Sequence, residues 1–425
     1  MQARIDFAGP EDGARPGGRG TRGQGDGRLP EQAFAPVARE APRRLPAEAD
    51  PLSALRLARS RNVGPSTWLR LVRRFGDPAR ALEALPDLAR RGGLGAMTPH
   101  DEADAARELE AGARAGARLV ILGGPGYPPA LAAIPDPPPV FWLRGDAEAP
   151  SRPSVAIVGA RNASAMGLRM ARMLAAELGA AGFAVASGLA RGVDGAAHEG
   201  ALPTGTVAAL AGCVASVYPR EHAGLADRIA AEGGALISEA PMGTDPQARH
   251  FPRRNRVIAG LSRAVVLIEA AARSGSLITA DFALEQGREV MAVPGSPLDP
   301  RSAGGNQLIR QGAALVRDAA DVVESLEQAG DAPAALRGGE AAEPPLSEDG
   351  FAEPAAPPLR DDRRLRAEIA GLLGLAPVEE DELLRLSGAS LAAVAEVLLE
   401  FELAGRLDRQ PGGMLALLPE DREPV

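Results

Sequence analysis

Apolar runs five to seven residues long, separated by stretches of helical periodicity, fill the middle of this chain. Residues 155–159 (VAIVG), 183–188 (FAVASG), 206–211 (TVAALA), 235–239 (ALISE), 264–269 (AVVLIE) and 289–295 (EVMAVPG) have the length and continuity of strands buried on both faces. Helical patterns, such as residues 168–181, lie between them, so the alternation predicts a doubly wound, Rossmann-like parallel α/β sheet over 121–328. Right-handed crossovers bring the loop after every strand to one edge of such a sheet. Arg161, Ser187, Gly188, Arg191, Ser274, Gly275 and Gly295 all follow strands and are expected to converge there.

The pattern changes on both sides. From Leu52 to about Arg114, Val63, Trp68, Leu71, Val72 and Phe75 fall near one helical face, predicting a small helical domain over 50–120. Its ValGlyPro at 63–65 has the form of a helix–hairpin–helix or sterile-alpha-motif-like turn. Residues 127–145 (YPPALAAIPDPPPVFWLRG) read as a proline-dense connector with no helix through 135–139. Beyond a Pro-, Ala- and Glu-rich linker at 329–360, helices over 363–373, 379–386 and 390–404 and a hairpin turning at Gly412 and Gly413 predict a winged-helix-like domain over 361–420. The Gly-, Arg- and Pro-rich residues 1–45 read as a disordered extension.

Charge is unevenly spread. The net −9 resides in the tail: six acids face two arginines in 329–360, and fourteen face seven in 361–425, leaving +2 for residues 1–328. The body is free to carry a local positive groove. A lone cysteine, Cys213, excludes an internal disulfide framework, and four scattered histidines give no zinc spacing. No apolar run is long enough to span a bilayer, so a cytoplasmic protein without a membrane partner is expected.

The chemistry concentrates in residues 249–279. Arg249, Arg253, Arg254, Arg256, Arg263 and Arg273 stand there against a single acid, Glu269, around the fifth strand. Arginine forks pair bidentately with phosphate. ArgSerGlySer at 273–276 then opens a helix, the arrangement that aims backbone N–H groups at an anion. The first loop, with Gly159, Arg161 and Ser164, has the spacing G-x-R-x-x-S-x-x-G, which is not the dinucleotide fingerprint. Phe251 is the main aromatic near the expected groove. Asp194 and His198 lie four apart on a helix, but no nucleophile or metal cluster completes a site, and a capping aspartate with a structural histidine is the better reading. No catalytic residue, cofactor or metal is assigned. A Rossmann-like phosphoribohydrolase is the enzymatic alternative, yet residues 293–306 lack the Thr-to-Glu arrangement of that loop, and without lysine there is no Walker A motif. In the last domain the third helix carries Glu396, Glu400 and Glu402 and no basic residue, which suits a protein contact rather than a DNA groove. Its Leu391, Val394, Leu398 and Phe401 are spaced for that domain's own core.

Nine segments in order, IVGARNAS, SGLARGVDGAAHEGAL, YPREH, ISEAP, FPRRNRVIAGLS, EAAARSGSLITA, A-x-E-x-GR, AVPG and GGNQLIRQGA, resemble the DprA (Smf) family of DNA-processing proteins. The resemblance runs from about Tyr127 to Val316 and extends more loosely to the flanking domains. It implies a protein that binds single-stranded DNA without sequence preference, protects incoming DNA in natural transformation, helps load a RecA-type recombinase and forms a homodimer. Carried onto this chain, it assigns DNA contact to Arg161, Arg253, Arg254, Asn255 and Arg256, and to the loops holding Ser187, Gly188, Ser274 and Gly275. The chain departs from the family at Ala215, where an aspartate is usual.

Overall fold

The computed structural model describes residues 45–46, 48–92, 97–329, 362–373, 377–410 and 413–418. The extension expected over 1–45 and the linker expected over 329–360 lie outside them apart from Leu45 and Ala329. Four helices come first: α1 (Pro51–Arg59), α2 (Pro65–Phe75), α3 (Pro78–Arg91) and α4 (Glu102–Arg114). Proline opens the first three, where its missing N–H leaves no bond unmade. Asp50, Asp77 and Asp101 cap α1, α3 and α4 by accepting from backbone N–H groups three residues on. Trp68, Leu71 and Val72 of α2 share a core with Leu55, Leu57 and Leu85.

The main domain follows as β1 (Ala117–Ile121), α5 (Pro129–Ala132), β2 (Val140–Gly145), β3 (Ser154–Gly159), α6 (Ala165–Ala180), β4 (Ala184–Ser187), α7 (Val193–Ala201), β5 (Thr206–Ala209) and α8 (Ala223–Ala231). It continues with β6 (Ala235–Ser238), α9 (His250–Leu261), β7 (Ala264–Ile268), α10 (Gly275–Glu285), β8 (Glu289–Ala292), α11 (Ala303–Arg310), β9 (Ala314–Leu315) and α12 (Ala319–Gln328). The strands form one nine-stranded sheet in the order β1-β2-β6-β5-β4-β3-β7-β8-β9. From β6 to β9 every neighbouring pair is parallel, and β1 and β2 are antiparallel additions at the β6 edge.

The six apolar runs are β3 to β8. The proline-dense stretch is more than a connector. Its prolines end at Pro139, and the residues after it form β2, which pairs Trp142 with Ser238 and Leu143 with Ile237. The sheet opens at Ala117, ahead of the boundary drawn at residue 120. The arginine-rich segment around residues 249–261, for which no element is predicted from the sequence, is the helix α9, with Pro252 in its first turn.

The last domain holds α13 (Asp362–Leu372), β10 (Val378–Glu379), α14 (Glu380–Ser387), α15 (Leu391–Leu403), β11 (Leu407–Gln410) and β12 (Met414–Leu417), with a β10-β12-β11 sheet. Val394, Leu398 and Phe401 of α15 enter its core beside Leu365, Ile369 and Leu415. Leu391, expected with them, is 59% exposed because it starts the helix beyond that core. Leu399 and Leu403 turn the other way and join the core that includes the N-terminal helices. Among the described residues no helix is long and apolar enough to cross a membrane.

Candidate nucleic-acid interface

The chain reverses its direction of travel across the sheet between β3 and β7: β4, β5 and β6 lie to one side, β7, β8 and β9 to the other. Loops leaving the carboxyl ends of the strands part at such a point and leave a crevice. A cleft of about 430 Å³ occurs there, lined by Gly159, Arg161, Phe251, Asn255, Ser274, Gly275 and Arg301, with Asp194 and Arg254 at its base.

Arg161 is exposed and makes no ion pair among the described residues. Its guanidinium lies over the Phe251 ring, 4.9 Å from the centroid, a cation–π geometry. Phe251 in turn meets Tyr218 edge-on at 5.9 Å. Opposite, Ser274 caps α10 by accepting from the Ser276 N–H at 3.3 Å. Open space surrounds the position where Gly275 would carry a side chain, so the first turn of an eleven-residue helix presents its backbone to the cleft.

The first loop is built differently. The Ser164 N–H donates to Glu269 Oε2 at 2.7 Å, and its hydroxyl donates to the other oxygen of the same carboxylate. A side chain on Gly167 would strike that carboxylate. The N-terminus of α6 is thus already filled by an anion of the protein itself, and Ser164 is not open to an external phosphate. Glu269 reaches it from the end of β7 with φ at +51°, in the left-handed region.

Helical geometry also sorts the arginines of α9. Arg254 is buried and donates through Nη1 to the carbonyls of Gly188 and Ala209, both at 2.5 Å, tying the ends of β4 and β5 together. Burial pulls its pKa down to about 10, with Asp194 opposing and Arg161 assisting, so it remains a cation at neutral pH. Arg256 is buried too, pairing with Glu239 at 2.5 Å and Asp136 at 3.2 Å. Asn255 donates to the Gly275 carbonyl at 3.3 Å and so positions the start of α10. Ser187 is buried and donates to Ile157 O at 2.7 Å. Gly188 is held against the Arg254 guanidinium, where any side chain would collide. Arg191 lies outside the cleft in a two-pronged pair with Glu221, at 2.5 and 2.7 Å. Of the expected ligands, Arg256 and Ser187 are therefore interior scaffold, their polar atoms spent on carbonyls and carboxylates, whereas Arg254 is tied to strand-end carbonyls through Nη1 and still lines the base of the cleft. Arg253 is exposed and lines a neighbouring cleft of about 480 Å³ together with Asn62, Thr67, His250 and Glu402.

Asp194 and His198 do not pair. Asp194 accepts from the Gly188 and Ala190 N–H groups at 3.1 and 3.3 Å. Burial pushes its carboxyl upward, opposed by Arg254 and those two N–H groups. His198 Nδ1 lies 2.7 Å from the Thr206 hydroxyl, which itself donates to Val185 O. Nδ1 is accordingly the protonated nitrogen, and burial drives the imidazole pKa down to about 3. Among the described residues no group of His, Cys, Asp or Glu could hold a metal ion. Arg301 was not identified from the sequence as a cleft residue, nor Tyr218 as the aromatic neighbour of Phe251. Arg301 lies further along the segment after β8 that the strand-end rule entered only at Gly295. Tyr218 is reached only through the packing of Phe251.

This architecture is matched by known proteins over most of its length. A family model described as DNA recombination-mediator protein A matches residues 118–327, a DprA-like N-terminal HHH domain matches 48–111, and a DprA winged helix domain matches 353–413. Protein Smf of Escherichia coli is 39% identical over 293 residues, covering 68% of this chain and 75% of that protein. The chain belongs to the DprA (Smf) family. DNA processing protein DprA of Bacillus subtilis is 42% identical over 225 residues, 52% of this chain and 75% of that one. The X-ray structure of DprA from Streptococcus pneumoniae aligns with a TM-score of 0.54 at 30% identity, covering 65% of this chain and 98% of that one. Family membership accounts for the helical, Rossmann-like and winged-helix succession.

Proposed function

We propose that the cleft between β3 and β7 binds the backbone of single-stranded DNA without sequence preference. The observation that carries this reading is Arg161: exposed, uncommitted to any carboxylate, and poised over Phe251 across from the open N-terminus of α10. A phosphate between them would receive a guanidinium fork on one side and backbone N–H groups on the other. Phe251 and Tyr218 offer ring surface on which bases stack irrespective of sequence. Gly159 serves by being small, since a side chain there would collide with the Ile268 carbonyl and narrow the strand end. In the setting of the family, such binding protects incoming DNA in natural transformation and presents it to a RecA-type recombinase, with the protein acting as a homodimer.

The role is binding, not hydrolysis. A phosphoribohydrolase needs a carboxylate free to act on a bound nucleotide, whereas Glu269 is engaged at α6 and Asp194 at its own loop. Fluorescence anisotropy with labelled oligo(dT) tests the reading. Arg161→Ala should weaken binding about tenfold, the scale of one charge-assisted contact, with an unchanged melting temperature. Unaltered affinity would move the site elsewhere.

A further inference from the structure

The acidic third helix of the winged-helix domain is not turned to solvent. Glu402 accepts from the Thr67 hydroxyl at 2.5 Å, pairs with Arg70, and lies 3.6 Å from Arg409. One and a half turns earlier, Glu396 pairs with Arg74 at 2.5 Å. Thr67, Arg70 and Arg74 occupy one stripe of α2, at helical spacing. Asn62, just ahead of α2, donates to the Leu403 carbonyl at 2.9 Å, while Leu399 and Leu403 fill the contact beneath the charges. At Gly92, past the end of α3, a side chain would strike the backbone of Glu400, so the two domains approach to backbone distance.

We propose that α2 carries a second, phosphate-backbone-binding surface, formed by Arg70 and Arg74, and that α15 masks it by supplying carboxylates where nucleic-acid phosphates would sit. The N-terminus of α2 adds to this surface: Gly64 caps it without a side chain, and Arg61 just ahead of it is exposed, as is Arg73 in the last turn. The masked state is electrostatically imperfect. Arg70 Nε is buried with no hydrogen-bond partner, and Glu402 is divided among Thr67, Arg70 and Arg409. Desolvation, the largest influence on Arg70, pulls its pKa down to about 10. A half-buried guanidinium whose Nε has no hydrogen-bond partner holds its place weakly against a competing polyanion. The surface is separate from the cleft at β3 and β7 and does not depend on it.

The test uses the full chain with Glu396→Gln and Glu402→Gln together, measured by anisotropy at low salt on oligo(dT) and on a duplex of mixed sequence. Affinity should rise about tenfold on both, and the salt slope on duplex should steepen by about two contacts, near −0.9 each. The gain should persist in an Arg161→Ala background, which separates this surface from the cleft. It should vanish when Arg70→Ala and Arg74→Ala are added. Hydrogen exchange across α2 and α15 reports whether the helices have parted. Unchanged affinity with faster exchange overturns the proposal, because the uncovered arginines then bind no DNA. Unchanged affinity with unchanged exchange overturns it equally, because the glutamates then do not hold the mask.

Discussion

Neighbouring arginines in one motif have opposite fates, and the difference is a matter of which face of a helix they occupy. Arg253 is exposed on α9, whereas Arg254 is 7% exposed and bonded to two strand-end carbonyls beside Asp194. Arg253→Ala should therefore lower DNA affinity by a few fold and leave the melting temperature in place. Arg254→Met should do the reverse in kind. It strands the Gly188 and Ala209 carbonyls and a buried carboxylate, which costs about 3–5 kcal/mol in the folded state. Chemical denaturation of both variants distinguishes them, and equal stability would mean that Arg254 is dispensable to the interior. The sequence displayed the arginines but not this division. Burial of Arg254 depends on carbonyls contributed by β4 and β5, some 45 to 66 residues away in the chain.

Elements that fill both sides of a sheet advertise themselves, and elements that edge it do not. The strands β3 to β8 were legible because parallel strands covered by helices on both faces need unbroken apolar runs. β2 was hidden by Pro137, Pro138 and Pro139 immediately before it, and β9 has only two residues. α9 was hidden because its buried side includes Arg254, Asn255 and Arg256, residues that ordinarily mark a solvated face. The link between the N-terminal helices and the sheet was equally invisible. Glu108 of α4 accepts from Arg59 at 2.8 and 3.1 Å, from Trp142 Nε1 at 2.9 Å and from the Met242 N–H at 3.3 Å. Burial alone would raise its pKa, but those donors outweigh it and hold the carboxyl below the usual range. Glu108 thus adds stability above its unfolded pKa and loses it as pH falls through the lower folded value. Glu108→Ala, which leaves Arg59 without its partner, should cost about 3 kcal/mol. Limited proteolysis should then cut between α4 and β1 faster than in the parent, and an unchanged rate would show that apolar packing alone joins the two layers.

At the scale of the whole molecule, a chain of net charge −9 is expected to bind a polyanion, and the salt dependence of that binding reports how the charge is arranged. Counting every arginine of residues 249–256 with Arg161 would suggest four or more phosphate contacts. The structure withdraws Arg256 into the interior and ties Arg254 to strand-end carbonyls, while Arg161, Arg249, Arg253 and Arg273 remain exposed and without an ion pair among the described residues, two or three of them expected to meet one strand. At about −0.7 per contact on single strands, two to three contacts give a slope of log affinity against log salt between about −1.4 and −2. The stacking offered by Phe251 and Tyr218 adds affinity that salt does not screen, so binding should persist at salt concentrations where a purely ionic complex dissociates. A titration from low to physiological salt measures both quantities, slope and residual affinity, in one series. A slope of −3 or steeper in the unmodified protein would mean that further cations already reach the DNA, and the arginines of α2 would be the first to examine, since carboxylates of α15 pair with Arg70 and Arg74. A flat response would remove phosphate contact as the basis of binding and, with it, the role given to Arg161.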